Sequence, residues 1–203
     1  MIGFRSLYIY SGLVIVFIVI ALSNIFAEDP VSQADMVERG KLITDIYGCV
    51  DCHSPKIKEG EFLVNDPERL FSGHPADNKL PKFPPEIIGP NKWRGLFTDS
   101  MTAWGGPWGI SYSANLTPDT ETGIGKLSEK NFVSVLNLGI HSNMNRKLMQ
   151  PMPWKEISEL DDNNLKAIYH YLKSVKPVNN KVPESVPLIN HENLVHKQDS
   201  KLN

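Results

Sequence analysis

Cysteine is scarce in this chain of 203 residues, since Cys49 and Cys52 are its only two. A structural zinc site usually needs four ligands at recognisable spacing, and no second cysteine pair is present to complete one. Neither sign of charge dominates, because 21 basic residues stand against 23 acidic ones, which gives no support for nucleic-acid binding. Internal repeats are also absent. The length therefore predicts one ordinary domain after any export segment is removed.

Both cysteines belong to the pattern C-x-x-C-H at residues 49–53, which is typical of covalent c-type haem attachment. Two thiols at this spacing can each add to one of the two vinyl groups on the same porphyrin edge. His53 then lies beneath the iron, where an imidazole nitrogen can bind it as the proximal ligand. Because the pattern occurs once, the sequence predicts one covalent haem c.

Three other interpretations of the cysteines remain open. They could form half of a zinc site, although the one histidine pair at suitable spacing, His191 and His196, lies in a polar C-terminal stretch. They could form a thioredoxin-like redox pair, but no βαβ pattern surrounds them. They could also be a structural disulfide or two buried thiols.

The N-terminus carries Arg5 and then an apolar run from Leu7 to Leu22. This pattern resembles a secretory signal with cleavage near Ala27. The alternative is an uncleaved anchor, because extension through residues 7–26 approaches the roughly 20 residues of a membrane span. We therefore interpret residues 1–27 as a signal peptide or N-terminal membrane anchor, and residues 28–34 as a lead-in.

Helical signals surround the haem motif and recur near the C-terminus. The apolar spacing predicts a helix from Asp35 to Tyr47, in which Gly40 allows close packing and which Gly48 ends. Further helices are predicted from the cap Ser128 to Gly139, and from the cap Asp161 to Pro177.

The segment at 54–110 is rich in proline and glycine, which predicts a long loop without a long helix or a central strand. Such a loop is reasonable if it wraps a large flat cofactor. The expected fold is all-α, with helices around one haem. The cytochrome domain would span residues 35–178, and residues 179–203 would form a polar tail, extended or disordered.

These features together resemble class I c-type cytochromes over about residues 35–178. The phrases at 115–119, 122–125, 151–154 and 167–172 are similar to single-haem domains in the cytochrome subunits of bacterial periplasmic dehydrogenases. The resemblance implies haem attachment outside the cytoplasm, hence a periplasmic protein or one anchored in the membrane and facing the periplasm. Redox proteins would be its partners.

Met152 is the predicted distal iron ligand. It lies between two prolines just before the last helix, and prolines restrict the backbone on either side. A thioether ligand raises the reduction potential relative to a second histidine. The alternatives, beginning with the runner-up, are Met149, Met144, Met101, His141 and His170.

The proximal imidazole also needs an acceptor for its second N–H group. In the resembling family this acceptor is the proline carbonyl of a Gly-Pro element, and Gly89-Pro90 matches that element. Pro90 is therefore the predicted partner of His53.

Ligation by His53 and Met152 would leave no room for a substrate at the iron, which favours an electron carrier without catalysis of its own. A haem enzyme or gas sensor with an open sixth position is the rival, in which His141 could belong to a distal pocket. A third possibility is an electron-transfer subunit of a larger membrane redox complex.

Overall fold

The computed structural model describes residues 32–141 and 146–187. The predicted signal or anchor at 1–27, Met144 and residues 188–203 lie outside the described residues. No helix in the described part is long and apolar enough to cross a membrane. All described elements lie in the unit that begins at Gln33.

The described residues form five α-helices, one 3-10 turn and eight short strands. The α-helices are α1 (Gln33–Ile46), α2 (Cys49–His53), α3 (Glu129–Leu138), α4 (Trp154–Ser158) and α5 (Asp162–Ser174), with a 3-10 turn at Pro85–Ile87. The strands are β1 (Lys56–Glu59), β2 (Phe62–Asn65), β3 (Leu96–Phe97), β4 (Ala103–Gly106), β5 (Gly109–Tyr112), β6 (Ile140–His141), β7 (Arg146–Lys147) and β8 (Val186–Pro187).

The three predicted helices are confirmed, and their ends follow from local chemistry. The Ser128 side chain accepts the Asn131 N–H at the start of α3, and Gly139 ends that helix in the left-handed conformation at φ 64°. The Asp161 carboxylate accepts the Asn164 N–H at 2.9 Å at the start of α5. These contacts satisfy backbone groups that a helix end would otherwise leave unpaired.

The core forms where α1 and α5 pack together, with α3 and α4 beside them. Gly40 lies at the contact between α1 and α5, where a Cβ atom would collide with the Ala167 carbonyl and lie 2.7 Å from Tyr171 Cβ. Glycine at this position therefore sets how closely the two helices approach. Leu165 and Leu172 on α5 are almost fully buried, and burial of such side chains stabilises a fold by about 1.5–3 kcal/mol each.

The all-α prediction is wrong, because the described residues form a mixed α/β fold with three antiparallel sheets. One is the hairpin β1–β2, another has the order β3-β4-β5-β8, and the third is the pair β6–β7. The strands are only two to four residues long, in keeping with the many prolines and glycines. The expectation of no central strand at 54–110 is wrong, because β4 lies between β3 and β5. Glycine is even part of β4, where Gly105 pairs with Leu96 and Ile110.

Part of the predicted tail packs against the domain. The Asn180 side-chain amide donates to the Ser72 carbonyl at 2.7 Å and the His74 carbonyl at 2.9 Å. The strand β8 then pairs with β5 through Val186 and Ile110. The described chain beyond residue 178 therefore completes the four-stranded sheet.

Candidate functional site

A cavity of about 1110 Å³, including the part open to solvent, lies beside the motif at 49–53. Its walls are mostly apolar, with contributions from Leu116, Phe132, Leu136, Ile157, Ile168 and Leu172. The cavity therefore offers an extended apolar site bordered by the core helices.

The helix α2 brings Cys49, Cys52 and His53 to one wall of this cavity. Gly48 precedes the helix in the left-handed conformation at φ 65°, which turns the chain from α1 into α2. Residues three and four positions apart share a helix face, which explains why these side chains lie together. The predicted attachment residues thus line a common site.

No disulfide joins Cys49 and Cys52. Burial raises the pKa of Cys49 to about 11 and also raises the pKa of Cys52. Zinc is bound by the thiolate, which burial disfavours. Among the described residues no group of three cysteine, histidine or acidic side chains could hold a metal ion. The zinc alternative therefore gains no support from the described residues, and its histidine pair, His191 and His196, lies outside them.

The His53 ring is held by a backbone carbonyl. Its Nδ1 lies 2.8 Å from the Ala114 oxygen, which leaves Nε2 as the ring nitrogen available to a ligand. Burial lowers the pKa of His53 and the contact with Ala114 opposes this, so the neutral ring required for iron ligation is favoured. The prediction for Pro90 is corrected here, because the carbonyl at Nδ1 belongs to Ala114.

The end of β5 and the residues that follow it connect both sides of the site. The Ser113 hydroxyl donates to the Cys52 carbonyl, and the Ser111 hydroxyl donates to the Gln150 carbonyl at 2.6 Å. The stretch at 111–113 therefore fixes the motif at 49–53 relative to the loop at 148–153, which carries both methionines. Sequence reasoning missed Ser111, Ser113 and Ala114, since small residues before the phrase at 115–119 carry no recognisable signal.

Met149 and Met152 both line the cavity, as do the prolines at 151 and 153. Met152 is half-buried and packs against the hydrophobic core. The structure thus brings the predicted distal ligand and its runner-up to the same site as His53.

The other candidate ligands divide into two groups. His141 lines the cavity, and burial together with Arg146 lowers its pKa. His170 instead lies 2.8 Å from the Glu129 carboxylate on the neighbouring helix, and neither it nor Met101 lines the cavity. His141 therefore remains a candidate from the described residues, whereas His170 has a structural partner.

The charged side chains in the described lining of the cavity are basic. Arg146 and Lys147 of β7 line it, and its described lining contains no aspartate or glutamate. Both side chains are exposed, which places them at the rim. An anionic edge of a bound molecule would be favoured beside them.

No family model matches the chain. It is 37% identical over 81 residues to the cytochrome c subunit of alcohol dehydrogenase (quinone) from Gluconobacter oxydans, covering 38% of the chain and 17% of the relative. It is 29% identical over 153 residues to the gluconate 2-dehydrogenase cytochrome c subunit from Pantoea cypripedii, covering 75% of the chain and 26% of the relative.

The chain is also 33% identical over 92 residues to the fructose dehydrogenase cytochrome subunit from Gluconobacter japonicus, covering 45% of the chain and 19% of the relative. The chain thus spans about a quarter or less of the length of these relatives. Together the comparisons support a relationship to cytochrome subunits of dehydrogenases.

Proposed function

We propose that the domain at residues 35–178 is a single-haem c-type cytochrome that carries electrons between redox partner proteins outside the cytoplasm. The observation that carries this proposal is the meeting of Cys49, Cys52 and His53 with Met149 and Met152 around one mostly apolar cavity. These residue types are the ones that attach and ligate haem c.

The residues present fit a porphyrin. The apolar walls suit its faces, and the rim cations Arg146 and Lys147 suit its carboxylates. Cys49 and Cys52 would tether it, His53 would bind the iron through Nε2, and Met152 would bind the opposite face, with Met149 as runner-up. Bound in this way, haem would supply a one-electron couple between ferric and ferrous iron.

The protein would tune that couple through groups that the structure defines. The Ala114 carbonyl orients the His53 ring and raises its basicity as a ligand. The apolar side chains of α3 and α5 that line the cavity would shield a bound haem from water. The Ser111 hydroxyl fixes the loop that carries Met152 through the Gln150 carbonyl.

A second candidate function is a haem enzyme or gas sensor with an open sixth position. The presence of His141 at the cavity favours it, because a distal histidine could interact with a bound ligand. Under this proposal Met152 would be a core side chain and would not bind the iron.

The relationship to dehydrogenase cytochrome subunits also supports a role as an electron-transfer subunit of a larger complex. In that role the donor would be a dehydrogenase and the apolar stretch at 7–26 would contribute membrane association. Recovery of the full chain from membranes with a partner protein is the expected result. Recovery only as a soluble monomer would contradict this role.

Absorption spectra of the purified holoprotein in both oxidation states distinguish the two candidate functions. An electron carrier with His53 and Met152 ligation should be low-spin in both states and should bind carbon monoxide poorly. High-spin ferrous iron that binds carbon monoxide readily would contradict it and would favour the open site.

A further inference from the structure

His74 is a buried titratable group with no role in the proposed haem attachment. It is fully buried, at 0% exposure, and its Nδ1 lies 2.9 Å from the Thr102 hydroxyl. Its Nε2 has no hydrogen-bond partner among the described residues. An unpaired polar atom in the interior is destabilising, so the position of this ring calls for an explanation.

The ring lies directly behind the wall of the cavity. Its centroid is 4.9 Å from that of Tyr112, a residue of the cavity lining. The His74 backbone N–H donates to the Ser113 carbonyl at 3.0 Å, and the preceding Gly73 N–H donates to the His53 carbonyl at 2.7 Å. A change of charge in the cavity would therefore act on His74 across an interior of low dielectric constant.

Three hydroxyl groups connect this ring to the turn between β3 and β4. The Thr102 hydroxyl lies 2.9 Å from that of Ser100, which in turn lies 3.0 Å from that of Thr98. Thr102 is fully buried, whereas Ser100 and Thr98 are half-buried. Because a hydroxyl can accept and donate at once, such a row can pass a proton from the surface to Nδ1.

Among the residues that the structure describes, few titratable groups lie near the ring. From β5 there is Tyr112, and from the turn there is Asp99, which is exposed and accepts the Ser100 N–H at 2.7 Å. On its own loop Asp77 is exposed. Burial lowers the pKa of His74, and the backbone of Asn78 opposes this. The ring is thus neutral near pH 7, and added negative charge in the cavity would favour its protonation.

We propose that His74 is a proton-uptake site coupled to electron transfer in the adjacent cavity, and that Thr98, Ser100 and Thr102 connect it to solvent. This inference rests on the proposed haem function. When one electron arrives from a redox partner protein, one proton from bulk water moves along the hydroxyls to His74. Loss of the electron returns that proton to water.

The reduction potential of the holoprotein should therefore depend on pH in a window below the ordinary histidine pKa of 6.5. Within that window reduction takes up a proton, so the potential should fall as pH rises. Spectroelectrochemical titration measures this slope, and an indicator dye in weak buffer measures the proton taken up per electron.

The titration is performed on the wild type, on His74→Asn and on the control His170→Asn. Loss of the acidic slope and of proton uptake in His74→Asn alone would support the proposal. A slope that is absent from the wild type, or unchanged in His74→Asn, would overturn it.

Ser100→Ala provides a test that leaves the buried ring intact, should His74→Asn not fold. Proton uptake after rapid reduction should be several-fold slower in Ser100→Ala, while the equilibrium slope stays that of the wild type. Unchanged uptake kinetics would overturn the role of the hydroxyls. A purified protein without haem would contradict the proposed function itself. A haem protein whose reduction potential is independent of pH would contradict only this inference.

Discussion

The His53–Ala114 contact shows what a single residue contributes to the candidate site. The sequence identifies His53 by the motif, yet the acceptor at its Nδ1 is the main-chain oxygen of an alanine. Every residue carries such an oxygen, so no residue type marks which one the fold will bring there. Cys49, Cys52, His53 and the methionines could be proposed from the sequence because their side chains carry the chemistry. The supporting backbone contacts could not.

Replacement of Met152 by alanine tests the predicted distal ligand. Loss of the thioether should lower the reduction potential and open the iron to carbon monoxide, because methionine ligation favours the ferrous state. Spectroelectrochemistry and carbon monoxide titration measure both effects.

Met149→Ala is the matched control, since Met149 lines the same cavity. It should keep low-spin iron and resist carbon monoxide. If Met149→Ala opens the iron and Met152→Ala does not, the assignments of the two methionines are reversed.

At the scale of elements, the three longer helices were predictable, whereas the short helices α2 and α4 and the strands were not. Ser128, Gly139 and Asp161 mark helix ends through side-chain caps or a left-handed backbone, which depend on local sequence alone. The strands are held by pairing between distant segments, as where β8 joins β5. Strands of two to four residues are too short to show a clear alternation of apolar and polar side chains. The prolines at 54–110 predicted loops, but the short strands β1 to β4 lie between these prolines.

Gly40→Ala tests the contact between α1 and α5. Alanine would gain about 1 kcal/mol of helix propensity, but its Cβ would collide with the Ala167 carbonyl, a backbone atom of α5. Overpacking costs about 1–3 kcal/mol or more, so the variant should be less stable than the wild type. Thermal or denaturant unfolding of the holoprotein measures the change.

Glu38→Ala on the same helix is the control, because Glu38 is exposed. It should change the free energy of unfolding by no more than about 0.5 kcal/mol. A Gly40→Ala variant as stable as this control would contradict the close packing of the two helices.

The whole molecule should lose stability in acid. Hydrogen bonds from Thr122 hold the pKa of Asp119 below its ordinary value of 3.8, and a hydrogen bond from Arg69 lowers that of Asp66. A carboxylate with a lowered pKa binds fewer protons in the folded state than in the unfolded state. The contribution of such a carboxylate to the free energy of unfolding is complete above its ordinary pKa. It is lost as pH falls through the lowered pKa of the folded state.

Thermal unfolding between about pH 6 and pH 2.5 measures this dependence. Asp119→Asn should be less stable than the wild type at neutral pH, and the difference should shrink below about pH 4. Asp77→Asn, at an exposed carboxyl, should follow the wild-type curve. A constant difference between Asp119→Asn and the wild type at every pH would rule out the ionised carboxylate as the cause.

For the whole molecule, the motif at 49–53 predicted where the cofactor would be held. The cavity itself depends on segments that are far apart in the chain. Its walls combine α2, β5, α3, the loop at 148–153 and α5, and their assembly gives one site a tether, an imidazole and a thioether. No local pattern predicts that assembly.

Intact mass of the exported protein, produced where haem is supplied outside the cytoplasm, tests the central claim most directly. We expect the polypeptide to carry the mass of one haem that remains after denaturation, and we expect the Cys49→Ala/Cys52→Ala double variant to lose it. Unmodified cysteines in the wild type, or a bound zinc ion instead of haem, would contradict the account.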